Sequence, residues 1–97
     1  KRIGEELNQR LVHPLECSKL EYPITSRRLR EEGGVTMVFW LDENGRVTES
    51  MVFNSSGSHR LDLAAQSWIK ECKFDITKLK NLKDDWRAIR VKFELSN

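Results

Sequence analysis

The side chains that could do chemistry in this chain are few and scattered. His13 and His59 lie far apart in sequence, and neither has a second ligand at the short spacings that hold zinc. Ser58, His59 and Asp62 supply the letters of a hydrolytic triad. Crowded into one helix start they point in different directions, and helix capping explains Ser58 and Asp62 better. The stretch from Asp42 to Gly45 carries acidic residues without the spacing of a calcium loop, so it reads as a turn. There is no glycine-rich phosphate cradle, and Asn54-Ser55-Ser56 matches a glycosylation pattern too common to weigh. Cys17 and Cys72 permit either one disulfide or two buried free thiols. No metal, cofactor or catalytic centre is expected, and the chain reads as a non-enzyme.

Composition narrows the partners. The 97 residues make one domain with a modest core, and 38% hydrophobic against 33% charged residues is the balance of a folded chain. Seventeen basic and fifteen acidic residues leave a net charge of +2, which gives no strong pull toward nucleic acid or anionic lipid. Arg27, Arg28 and Arg30 with Trp40 and Trp86 resemble the makings of an RNA-binding sheet, but acidic residues are interleaved and no aromatic ribonucleoprotein signature appears. No nucleic-acid partner is expected. No stretch approaches the roughly eighteen apolar residues of a membrane helix. The chain starts at Lys1 with no signal peptide, so it reads as a fragment whose targeting and anchoring segments lie upstream.

The elements follow from periodicity. Ile3, Leu7 and Leu11 recur at steps of four, a narrow apolar stripe of marginal length for a helix and otherwise a flexible lead-in that Pro14 ends. Pro23 can open a short helix over 23–32, with Ile24 and Leu29 as its apolar contacts and Gly33-Gly34 as its left-handed stop. Residues 35–41 switch to a period of two, with Val35, Met37, Phe39 and Leu41 on one face. Asn44-Gly45 marks a hairpin into a second strand over 47–54, where Val47, Glu49, Met51 and Phe53 should share a face. Ser58 caps a helix whose stripe is Leu61, Ala64, Ala65, Trp68, Ile69 and Cys72, with Lys70 and Lys73 in its last turn. A lysine-rich connection over 74–85 leads to a last strand in which Ile89, Val91, Phe93 and Leu95 alternate with Arg90, Lys92 and Glu94. The expected fold is α+β: two helices on one face of a three-stranded antiparallel sheet, in the order α-β-β-α-β.

Tyr22-Pro23, Glu32-Gly33, the run from Gly34 to Phe39, the turn from Asp42 to Val47, Ser55-Ser56-Gly57, Leu61-Asp62, Ala64-Ala65, Lys73-Phe74 and a final strand from Trp86 stand in one order. With that order and spacing the chain resembles the TonB C-terminal domain family over about 20–95. The likeness divides the chain into a lead-in, 1–19, and a TonB-like domain, 20–97. Two positions depart from the family pattern: Thr25, where an arginine is common, and Cys72, where a tryptophan is usual. The smaller side chain at Cys72 points toward the segment before Tyr22, so the resemblance implies a Cys17–Cys72 disulfide.

The resemblance also implies a function. Such domains are periplasmic adaptors, anchored to the inner membrane by an upstream helix. They couple inner-membrane, proton-driven motor proteins to outer-membrane TonB-dependent transporters by binding the transporter's TonB box. The alternative is the same fold serving another envelope partner, a secretion or cell-wall component. The physics is strand addition, in which a peptide satisfies the free backbone groups of an edge strand. The expected edge is 87–95, with Arg87, Ala88, Ile89, Arg90, Val91, Lys92 and Phe93 as partner-binding residues. Lys19, Tyr22 and Pro23 are expected to add specificity contacts. An open edge also exposes the domain to strand exchange between two copies, a homodimer.

Overall fold

The computed structural model of the chain describes residues 2–79 and 85–96, so the part of the lysine-rich connection at 80–84 lies outside the described residues. Three antiparallel strands form one sheet: β1 (Gly33–Leu41) is central, flanked by β2 (Val47–Asn54) and β3 (Arg87–Phe93). The helices are α1 (Arg2–Gln9), α2 (Ile24–Arg28) and α3 (His59–Ile69). This is the expected α+β architecture of helices against a three-stranded sheet, with one helix more.

The main core fills the space between the sheet and α3. Val35, Met37, Phe39 and Leu41 of β1 and Ile89, Val91 and Phe93 of β3 meet Leu61, Ala65 and Ile69 of α3. Leu61 and Ile69 are fully buried, each stabilising by about 1.5–3 kcal/mol. Ser58 caps α3 as expected, its hydroxyl accepting from the Leu61 N–H. The helix stops at Ile69, sooner than its stripe suggested. Lys73 therefore lies beyond it and is bridged to Glu16 and Arg46.

Strand β2 departs from simple alternation. Its register with β1 shifts twice, between Thr36 and Met37 and between Trp40 and Leu41. A one-residue slip turns side chains to the other face. Val47 and Val52 thus both pack on the core, while Met51 and Phe53 are exposed. The hairpin is tied by the Asp42 carboxylate, which accepts from the N–H groups of Asn44 and Arg46. Of Asn44 and Gly45, only Gly45 has a positive φ, +80°, which fits a longer turn with one left-handed residue rather than a two-residue hairpin.

Helix α2 corrects the sequence reading most. It spans five residues, and its end is a Schellman turn. Glu31 N–H returns to the Ser26 carbonyl and Arg30 N–H to that of Arg27. The left-handed residue is Arg30, at φ 59°, rather than a glycine. Ile24 and Leu29, expected as apolar contacts, are 69% and 59% exposed, and the buried residue is Ser26. The reason is electrostatic: the side of this short turn that meets α3 is held by polar groups. Glu31 pairs with Arg60 at 2.9 Å and accepts from the Ser58 hydroxyl at 2.8 Å. Arg60 foremost, with the hydroxyl donors, holds the Glu31 carboxyl down to about 2.

The residues before α2 wrap the molecule. Helix α1 lies against the sheet face opposite α3, with Leu7 buried on Val38 and Ala88 and flanked by Leu11, Trp40 and Trp86. The chain then crosses to the α3 side, where Leu15 N–H donates to the Lys73 carbonyl and Cys17 is disulfide-bonded to Cys72. The bond joins residues 55 apart, and closing a loop of that size contributes about 4 kcal/mol as chain entropy. Trp68 Nε1 donates to the Ser18 carbonyl one step further on.

Two outcomes test this frame. A Cβ on Gly45 would stand 2.2 Å from the Phe74 carbonyl oxygen, so Gly45→Ala should cost about 2 kcal/mol or more, read as a fall in urea midpoint. Glu31 is depressed in the folded state, so its contribution is present above its ordinary range and is lost as pH falls toward about 2. Glu31→Gln should lower stability at neutral pH and flatten the acid limb of the stability profile below about pH 4.5.

Candidate functional site: the outer edge of the third strand

Strand β3 pairs with β1 from Gly33↔Phe93 to Phe39↔Arg87. Backbone N–H and C=O groups alternate in direction along a strand. The direction is fixed at Ala88: its N–H donates to the Arg10 carbonyl (2.9 Å) and its carbonyl accepts from the Val12 N–H (3.0 Å), both on the side away from β1. The backbone groups of Ile89 and Val91 therefore turn toward β1, and those of Arg90 and Lys92 turn outward. Among the described residues no strand pairs with Arg90 or Lys92 on that side. Past the end of β3 the Leu95 N–H donates to the carboxylate of Glu32, the residue before β1, at 3.2 Å.

The surroundings of this open stretch are charged and shallow. Gly34 stands opposite Lys92, so no side chain fills the sheet surface there, and an open groove of about 450 Å³ runs over Gly34, Thr36, Arg90, Lys92 and Glu94. Lys92 and Glu94 form a solvent-exposed pair at 3.5 Å, of small energetic weight. Arg90 donates to the Asn8 side chain of α1 at 3.0 Å. These side chains screen the edge from chance pairing without using its backbone.

The other residues named from sequence fall in different places. Tyr22 sits edge-on to Phe93 with centroids 5.4 Å apart, its hydroxyl donating to the Glu31 carbonyl; burial raises its phenol above the usual range. Pro23 is the residue before α2's first turn. Lys19 is exposed and lines a separate shallow groove with Trp68 and Glu71 on the flank of α3. Arg87 is nearly buried, pairing with Asp85 at 3.2 Å, so its side chain is engaged within the domain.

What sequence reasoning missed is Arg10. Its guanidinium pairs with Asp85, lies 4.4 Å from the Trp86 ring centre, and donates to the Trp86 carbonyl at 2.8 Å. That hydrogen bond from Arg10 is the first reason the Asp85 carboxyl lies below its usual range. The step-of-four stripe hinted at the helix, but nothing in it disclosed which strand it would meet.

The described residues thus form a small α+β domain whose edge strand is open at Arg90 and Lys92, and they hold no metal-ligating cluster. The chain matches the family described as Gram-negative bacterial TonB protein C-terminal over residues 18–95, and it belongs to that family. It is a periplasmic adaptor domain of the TonB type, in a family of non-catalytic adaptors. Its fold is similar to the solution NMR structure of the Pseudomonas aeruginosa TonB CTD, with a TM-score of 0.66, 21% identity, and coverage of 88% of this chain and 87% of that one. No curated protein matches the chain in sequence. Among the described residues no helix is long and apolar enough to cross a membrane.

The alternation makes a direct prediction. In native-state hydrogen exchange, the amides of Ile89 and Val91 should be strongly protected and that of Ala88 intermediately so. Those of Arg90 and Lys92 should exchange fast, because they face solvent in the free domain.

Proposed function

We propose that this domain binds the TonB box of an outer-membrane TonB-dependent transporter as a fourth strand on the β3 edge. On this reading it relays force from inner-membrane motor proteins, through an upstream membrane-anchored region, to that transporter. The observation that carries the reading is the pair of outward backbone rungs at Arg90 and Lys92, on an edge strand inside a TonB-family domain. A peptide pairing there loads its main-chain hydrogen bonds together when pulled along the strand. Tyr22 lies beside Phe93 under the same end of β3 and is placed to support contacts at the strand's end. Lys19 lines the separate groove on the flank of α3, and Pro23 follows Tyr22 at the start of α2. A second copy of the chain could use the same rungs, giving a strand-exchanged homodimer that competes with the peptide.

The geometry chooses the decisive substitution. Val91→Pro removes an N–H turned toward β1 and damages the sheet itself. Lys92→Pro removes an outward N–H, which an edge strand tolerates. Lys92→Pro should keep the wild-type fold by circular dichroism while weakening a transporter N-terminal peptide by about tenfold or more, the loss of roughly one backbone hydrogen bond. Unchanged affinity in the folded variant would count decisively against strand addition at this edge.

A further inference from the structure

The outer edge of β3 is open at Arg90 and Lys92 but already taken at Ala88. There the chain's own residues Arg10 to Val12 run parallel to β3 and make both hydrogen bonds that a partner strand would make, at 2.9 and 3.0 Å. We propose that α1 together with Arg10–Val12 is a displaceable cap, held in cis on the docking edge, which a partner strand must evict to use the Ala88 rung. This rests on the strand-addition reading above and adds a competitor to it.

The cap is held by several separate contacts. Leu7 is buried over Val38 and Ala88. Arg10 is pinned to Asp85 and to the Trp86 ring and carbonyl. Asn8 accepts from Arg90, the neighbouring outward residue, so the cap also restrains a side chain of the open stretch. Against this, α1 has eight residues, too few to be stable as a helix alone. Its order depends on docking, which is what a removable cap requires.

The cap also has an anchor. Immediately after Val12 the chain is fastened on the other side of the molecule by the Leu15–Lys73 and Lys73–Glu16 backbone bonds and the Cys17–Cys72 disulfide. A displaced cap therefore stays tethered a few residues from the edge, and its high effective concentration returns it when the partner leaves. A peptide reaching only Arg90 and Lys92 leaves the cap in place. One that extends to Ala88 competes with it.

The test uses a synthetic nine-residue peptide carrying a transporter's TonB box, with wild-type protein, Leu7→Asp and Val12→Pro. The first variant unseats α1, and the second removes the donor to the Ala88 carbonyl. In the free variants the Ala88 amide should exchange faster than in wild type while Ile89 and Val91 stay protected. If the edge is capped nine-tenths of the time, both variants should bind the peptide about tenfold more tightly. Peptide binding to wild type should likewise expose the Val12 amide. Equal or weaker binding by a variant whose Ala88 amide has been freed overturns the cap, and so does an Ala88 amide that stays protected in both variants. If the peptide binds but protects neither Arg90 nor Lys92 in any of the three proteins, strand addition itself fails, and that result is separate from the first two.

Discussion

A three-stranded sheet has one strand whose backbone is satisfied on both sides, and here that strand is β1. Everything else in the domain answers to the two edges this leaves. β2 carries two register shifts and twists out of regular pairing. β3 stays regular for seven residues, with charged side chains along its open stretch and its first rung covered by the lead-in. A flat, apolar edge would invite aggregation. Charge along the open stretch and a cap at Ala88 leave a short, defined length of ladder.

The core explains why that ladder holds its position. The residues of β3 whose backbones turn toward β1 are those whose side chains pack beneath α3: Ile89, Val91 and Phe93. Alternation links the two facts, since one pleat sets both side-chain face and, through pairing, which backbone groups look outward. A slip by one residue would bury Arg90 and Lys92 while offering the wrong rungs outside. The apolar side chains therefore fix the register of the edge, and they do so without touching whatever binds there.

Much of this was legible in the sequence because period two is a strong signal where one face is buried. Residues 35–41 and 89–95 showed it plainly, and Ser58 announced α3 by its position before an apolar stripe. The failures share a cause. Ile24 and Leu29 looked like a helix's buried contacts, but a five-residue helix is placed by what holds its ends. Here that is Glu31 meeting Arg60 and Ser58, side chains about thirty positions apart. Arg30 took the left-handed position because a return hydrogen bond to Ser26 closed the turn before Gly33 was reached. The faces of β2 were misassigned because a bulge leaves no mark in the residue pattern. The lead-in's role was hidden because α1 has no stability of its own and acquires its meaning from Ala88 and Trp86, far along the chain.

The disulfide connects these points to force. On the proposed function, tension reaches the domain through its N-terminal lead-in, and that path meets α1 first, then the Arg10–Val12 pairing, then Cys17. The contacts of α1 are few and can yield one after another, whereas Cys17–Cys72 is covalent and ties the path to the buried end of the α3 segment. Pulling would strip the lead-in from the outer face and free the Ala88 rung before any load fell on the core. The same pull would therefore lengthen the ladder available to a bound partner strand at the moment that strand is loaded. A staple placed ahead of α1 would prevent this, and one placed after α2 would let the strap over the core unravel. Cys17 lies between them, where the cap can move and the core cannot.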